Sequence, residues 1–248
     1  MTIPQRYGML NVYHIFLFHR RISMTKAIIF DLFETLVTEW GHEKYTKRQM
    51  SADLGIPHEL FSEHWEALHE RQYRGGIEFA DSLRYICGQY SMPVSEEIVQ
   101  YMERHRKETK AACFSHLHPD ILPMLETLRK RGYRLGILSN CSGEEVSAIY
   151  ESVLVPFFDQ IILSHETGLC KPEKAIYHLA AEKLGTAPTE CIFIGDGGSR
   201  ELYGAAEAGM HSYRAMWYIR QMPDAVREMP EFMPLENPMD ILEILQPD

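Results

Sequence analysis

The sequence contains no C-x-x-C pair. Its five cysteines, Cys87, Cys113, Cys141, Cys170 and Cys191, are an odd number scattered over 248 residues, which argues against a metal knuckle or a dithiol redox couple. Such thiols read as buried apolar side chains of a protein in a reducing cytosol. Positive charge is in short supply: 25 Lys and Arg stand against 35 Asp and Glu, for a net charge of −10. That balance disfavours nucleic acid or an anionic membrane as the partner and leaves a small molecule as the expected one. Long hydrophobic runs are missing too. The N-terminal "MLNVYHIFLFHRRISM" is broken by His14 and stops at His19, well short of the ~20 residues that span a bilayer. A secretory signal would carry its basic residues ahead of the apolar run, whereas Arg20 and Arg21 follow it. Because Met24 stands just before the first strand-like run, residues 1–23 read as a dispensable extension. Repeats and low-complexity tracts are absent, and nothing in the chain fixes an oligomeric state.

What is present is an apolar fraction of 45%, ordinary for a folded chain with a sizeable core. Short apolar runs rich in β-branched and aromatic residues predict buried strands at 26–30, 133–138, 160–163, 191–194 and 211–216. Amphipathic patterns predict helices at 119–131, 172–184 and about 200–208, with Pro near two of the starts and Gly132, Gly185 and Gly209 at the stops. Strands alternating with helices imply right-handed crossovers and a parallel sheet covered on both faces. Between the first two strands lie about a hundred residues with helical patterns near 43–54, 58–73, 78–90 and 95–112, too long for a loop. The expected organisation is therefore an α/β, Rossmann-like parallel core formed by residues 24–38 and 116–248, with an inserted all-helical domain at 39–115. From Arg220 the chain is expected to wrap the core irregularly before a short helix, "MDILEIL".

Chemistry concentrates at the strand ends. Asp31 follows "AIIF", Ser139 follows "LGIL" and Asp196 follows "IFIG", so all three emerge at the carboxyl edge of a parallel sheet, where open α/β folds bind ligands. Lys171 precedes the Pro172 helix start and can reach the same edge, beside backbone amides suited to an anion. Each of these residues taken singly is more often a turn, a cap or a solvated charge. Their convergence is what points to a site.

At this point the sequence resembles the haloacid dehalogenase-like superfamily of hydrolases. "FDLFETLV" is similar to its D-x-D-x-T motif, "ILSN" to its second, "CKPEKAIY" to its third and "IGDGGSRELYGA" to its acidic fourth, in order over residues 26–216. The resemblance implies that Asp31 is a nucleophile forming a covalent aspartyl intermediate. Ser139, with Asn140 beside it, would then bind the transferring group, Lys171 would neutralise charge, and Thr35 would orient the nucleophile or bind substrate. It further implies a magnesium ion, Mg2+, held by Asp31, Asp196 and the backbone carbonyl of Phe33, with Glu201 at the family's last acidic position able to contact a metal-bound water or Lys171. A helical cap over the crevice is implied as well. In it, Arg74, with Arg71 and Tyr73 beside Gly75 and Gly76, is a candidate for recognising an anionic substrate, against the alternative of a turn with solvated charges.

Phe33 departs from the pattern. The family's phosphatases place there a second Asp that protonates the leaving alkoxide, and general acid–base help is worth about 10²- to 10⁴-fold. Three outcomes follow: magnesium-dependent hydrolysis of a phosphate with a good leaving group, carbon–halogen hydrolysis as in 2-haloacid dehalogenases, or a binding module without turnover. Tyr177, six residues after Lys171, and Arg48 are the residues available for the second. Glu34 is expected to face away from Asp31. His116 and His118 have a zinc-ligand spacing but read as a hinge turn. Trp40 is the tryptophan expected nearest the cleft.

Overall fold

The computed structural model describes residues 25–221 and 228–245; the expected extension at 1–23 lies outside them. Strand β1 (Ala27–Phe30) is four residues long and fully buried, as a strand covered on both faces must be. Its alternating side chains feed two separate apolar clusters. Ile28 and Phe30 pack with Leu125, Leu128 and Ile137, while Ala27 and Ile29 pack with Ile176, Ala180 and Leu184.

After β1 the chain forms four helices before it returns to the sheet: α1 (Lys47–Leu54), α2 (His58–Tyr73), α3 (Phe79–Gln89) and α4 (Glu96–Ala112). Thr46 and Gln49 close a capping box at the start of α1, and Ser95 Oγ accepts from the Ile98 amide at the start of α4. This insert has its own apolar centre, in which Phe61 stacks on Trp65 and Trp65 meets Phe79 edge-on, apart from the two clusters on the sheet.

The chain re-enters through α5 (Ile121–Lys130) and β2 (Arg134–Ser139), then continues through α6 (Gly143–Tyr150), β3 (Gln160–Leu163), α7 (Ser164–Thr167), α8 (Lys174–Lys183), β4 (Cys191–Gly195), α9 (Glu201–Glu207) and β5 (His211–Ala215). Strand β6 (Met233–Leu235) and α10 (Asp240–Ile244) complete the described chain. All six strands are parallel, in the order β3-β2-β1-β4-β5-β6. The five predicted strands are all present. Strand β6 and helix α6 are not foreseen: β6 is three residues with Pro234 at its centre, tolerable on a sheet edge. His116 and His118 lie in the turn before α5, where the Asp120 amide donates to His118 Nδ1. No helix among the described residues is long and apolar enough to cross a membrane.

Candidate active site

Residue 31 extends the β1–β4 pairing by one step, its amide donating to the Ile194 carbonyl at 2.8 Å. The Asp31 carboxylate thus stands at the carboxyl edge of the two central strands. The chain then turns tightly, with the Leu36 and Val37 amides both donating to the Leu32 carbonyl. Trp217 Nε1, just beyond β5, donates to the Thr35 carbonyl at 2.8 Å and pins this turn. Thr35 Oγ1 in turn donates to Asp31 Oδ2 at 3.2 Å. Asp31 is held from below by the sheet and from the side by its own loop.

Lys171 approaches from the opposite side. Its backbone is clamped by the Asn140 side chain: the Lys171 amide donates to Asn140 Oδ1 at 2.8 Å, and Asn140 Nδ2 donates to the Lys171 carbonyl at 2.9 Å. The buried ammonium bridges Asp31 Oδ1 and Glu201 Oε2. Glu201 Oε1 accepts from the Gly197 amide at 3.2 Å. The preceding turn holds Ser199 and Arg200 at positive φ, 50° and 55°, a region that side chains other than glycine seldom occupy. Gly195 is needed here, because a Cβ on it would stand 2.1 Å from Glu201 Oε1. Asp196 Oδ1 accepts from the Gly198 amide at 2.9 Å.

One oxygen each from Asp31, Asp196 and Glu201 lies within 4.8 Å of the others. Burial raises the pKa of the Asp31 carboxyl, the Lys171 ammonium lowers it and Asp196 raises it again, for a net upward shift. Glu201 is pushed well up by burial and by the Asp31 charge. Burial opposes the charge on Lys171, but Asp31 and Glu201 outweigh it and the ammonium titrates above its ordinary range. Three carboxylates around one ammonium leave negative charge uncompensated, and hard oxygen donors at this spacing suit a hard divalent cation.

These groups open into a crevice of about 230 Å³ lined by Asp31, Phe33, Ser139, Asn140, Lys171, Asp196 and Glu201, with Glu39, Tyr73, Lys110 and Glu145 on the remaining wall. Thr35 stands behind Asp31 rather than in the lining. Asn140 lines the crevice, but its amide is engaged by the Lys171 backbone, so it positions the lysine. Arg74 is a correction. It does not line the crevice, because its guanidinium is taken up by Glu70, by Glu173 and by the Gly168 carbonyl at 2.8 Å. Trp40 is exposed and also lies outside the lining. Glu34, expected to face away, borders the crevice; its carboxylate accepts from the Thr38 hydroxyl and the Glu39 amide, and burial pushes its pKa up.

Lys110, Glu39, Glu145 and Trp217 are not among the residues singled out in the sequence. Lys110 falls in a helical pattern where a charge ordinarily means solvent, Glu145 in a stretch with no predicted element, and nothing in their spacing marks them as buried. Tyr177, by contrast, is fully buried beneath the site, its hydroxyl donating to the Glu201 carbonyl at 2.8 Å, and Arg48 is exposed on α1.

Three acids and a lysine on the carboxyl edge of a parallel sheet define a hydrolase-type crevice. A family model for haloacid dehalogenase-like hydrolases matches residues 25–209, and the chain belongs to that family. It is 28% identical over 236 residues to the glyceraldehyde 3-phosphate phosphatase of Methanopyrus kandleri, an alignment covering 90% of this chain and 98% of that one. Over 199 residues it is 26% identical to a phosphatase of Mycobacterium tuberculosis, covering 75% and 85%. Among solved structures, a HAD family enzyme of Bacteroides thetaiotaomicron in complex with magnesium and inorganic phosphate superposes with a TM-score of 0.59 at 20% identity, over 77% of this chain and 94% of that one. A 2-haloacid dehalogenase of Pseudomonas syringae superposes with a TM-score of 0.62 at 19% identity, over 89% and 98%. The fold is shared about equally with both chemistries, so the choice between them rests on the site.

Proposed function

We infer that the protein is a magnesium-dependent phosphatase acting on a small phosphorylated metabolite with a good leaving group, in the cytoplasm, with residues 39–115 serving as a cap over the core. The observation that carries this reading is the buried Lys171 bridging Asp31 and Glu201, with Asp196 close by. In this reading an Asp31 carboxylate oxygen attacks phosphorus, the bond to the leaving oxygen breaks, and water then releases phosphate from the aspartyl intermediate. Lys171 keeps Asp31 ionised and oriented, while Ser139 hydrogen-bonds the transferring group. Magnesium held by Asp31, Asp196 and the Phe33 carbonyl, with Glu201 beside it, would supply charge neutralisation for the phosphoryl group.

The phosphatase names of the relatives support this reading over dehalogenation. So does the site: Tyr177 hydrogen-bonds the Glu201 backbone instead of facing the crevice, and Arg48 stands outside it. Phe33 lines the crevice where a carboxylic acid would donate a proton, which favours acyl and aryl phosphates over sugar phosphates. The test is one panel assayed with magnesium and with chelator. It measures phosphate released from acetyl phosphate, 4-nitrophenyl phosphate, glyceraldehyde 3-phosphate and a hexose phosphate, and halide released from 2-haloacids. Magnesium-dependent phosphate release, greatest on the activated members, is expected. Metal-independent halide release would overturn the reading.

A further inference from the structure

Phe33 leaves the crevice without a proton donor at the position where the leaving oxygen departs, but it does not leave that position without charge. The Lys110 ammonium, carried on α4, lies 4.8 Å from the centroid of the Phe33 ring, and both residues line the crevice with Asp31. Lys110 is buried, and two of its three N–H groups are met by the carboxylates of Glu39 and Glu145. Its remaining side meets the Phe33 ring and the crevice. Glu145 is itself fixed, its other oxygen accepting from the Ser142 amide at 2.9 Å. A second cavity of about 250 Å³ within the insert shares Glu39 and Lys110 as a wall with the first, so a group bound at Lys110 has space beyond it.

Resting on the phosphatase reading above, we propose that Lys110 takes over the duty lost at residue 33, as a fixed charge instead of an acid: its ammonium binds the leaving oxygen as that oxygen departs as an anion. The Asp31–phosphorus bond forms, the electrons of the breaking phosphorus–oxygen bond stay on the leaving oxygen, and no proton moves until that oxygen reaches water. The two carboxylates beside Lys110 hold its proton in place; burial alone would drive the ammonium's pKa down, but Glu145 and Glu39 raise it, against opposition from Arg106. The substrates selected are phosphate esters and anhydrides whose leaving group is a carboxylate, a phenolate or another stabilised oxyanion. Preorganised charge of this kind acts only on what develops in the transition state.

A structural role for Lys110, pinning α4 to α6, predicts something different: a loss common to all substrates. Arg106 supplies that comparison, since it pairs with Glu144 across the same helices and does not line the crevice. The experiment uses the full-length protein with magnesium and a series of aryl phosphates of graded leaving-group acidity. Lys110→Met is expected to lower kcat/KM about tenfold for 4-nitrophenyl phosphate and about a hundredfold or more for phenyl phosphate, steepening the leaving-group dependence. Arg106→Met should lower both by one factor, and Lys110→Arg should retain the wild-type slope. Should Lys110→Met fail to fold, Lys110→Gln combined with Glu145→Gln removes one charge of each sign and is read the same way. Parallel loss across the series in an active background would overturn the assignment of Lys110. A wild-type protein that releases phosphate from no member would instead overturn the phosphatase reading on which it rests.

Discussion

Two sets of ion pairs join the helical insert to the sheet-bearing part of the chain, and they differ in how much water reaches them. Beside the crevice, Lys110 and Arg106 of α4 meet Glu145 and Glu144 of α6, with Glu39 completing the cluster; the Lys110 and Glu145 side chains are 9% and 5% exposed. At the α2–α3 corner, Arg74 pairs with Glu173, and the His165 ring lies 3.3 Å from the Glu78 carboxylate, with Arg74 and Glu173 at 31% and 40% exposure. Charges taken out of water become dependent on one another, because removing one strands its partner in a poorly screened interior. Charges left in water are each solvated with or without a partner. The crevice side is therefore the contact in which substitution should damage both stability and chemistry, and the corner is the one that should tolerate change.

The largest effect expected lies within the buried set and separates its chemistry from its stability. Asp31→Asn keeps the shape of the side chain but removes the attacking charge, and turnover on every phosphate ester should fall by about four orders of magnitude or more. Urea unfolding of the same variant should report a far smaller change in proportion, since the amide oxygen can still accept from Lys171 while the amide N–H donates to the Thr35 hydroxyl. Turnover that survived this substitution would remove Asp31 from the nucleophile's role.

Next in size is Glu145→Ala. It takes one of its two carboxylate partners from Lys110, leaves the Ser142 amide without its side-chain partner, and should destabilise the fold by about 3 kcal/mol, the lower end of what breaking one side of a buried pair costs, since Glu39 still meets the ammonium. Equilibrium urea unfolding measures this directly. A loss below 1 kcal/mol would place the cluster with the exposed pairs and erase the contrast.

Acid should attack the same cluster. Burial works against ionisation of Glu39, but the charge and hydrogen bond of Lys110, helped by Arg106, outweigh it and hold the carboxyl below its ordinary range. A depressed folded-state value means that its contribution is present above the unfolded carboxylate pKa of ~4.3 and is lost as pH falls through the folded value. Lys110, shifted upward, contributes fully below ~10.4 and loses that contribution as pH rises through its own folded value. The stability difference between wild type and Glu39→Gln should therefore be flat from about pH 5 to 9, at about 1–3 kcal/mol, and should shrink on either side. A difference that grew toward acid would contradict the pairing.

Most of this architecture is legible in the chain, and the reason is physical. Strands buried on both faces must be continuous apolar runs, and β1 through β5 are such runs; the helices of the insert carry their own caps, such as Thr46 with Gln49 and Ser95. Asp31, Ser139, Lys171, Asp196 and Glu201 meet because strand ends and the turns beside them are fixed by topology. What escapes is decided by packing between distant segments. Lys110 reads as a solvated helical charge because its burial depends on Glu145, which comes 35 positions later in a stretch with no predicted element. Arg74 fails in the opposite direction: beside Gly75 and Gly76 it looks free to reach a substrate, but Glu173, a hundred residues on, engages it first.

That misreading supplies the smallest effect, and the sharpest check on the comparison. Arg74 makes more partners than Lys110, pairing with Glu70 and Glu173 and donating to the Gly168 carbonyl at 2.8 Å, so a count of contacts would rank it higher. Water reverses that ranking. Exposed pairs are worth about 0–1 kcal/mol and are screened by salt, and the Gly168 carbonyl released by Arg74→Ala lies where solvent can replace the guanidinium. Unfolding of Arg74→Ala should differ from wild type by less than about 1 kcal/mol at low salt and by still less at 0.5 M salt. The leaving-group dependence of turnover should not move at all, because Arg74 does not line the crevice. A loss as large as that of Glu145→Ala, undiminished by salt, would mean that the corner is as closed to water as the crevice side, and the two contacts would then have to be treated as one.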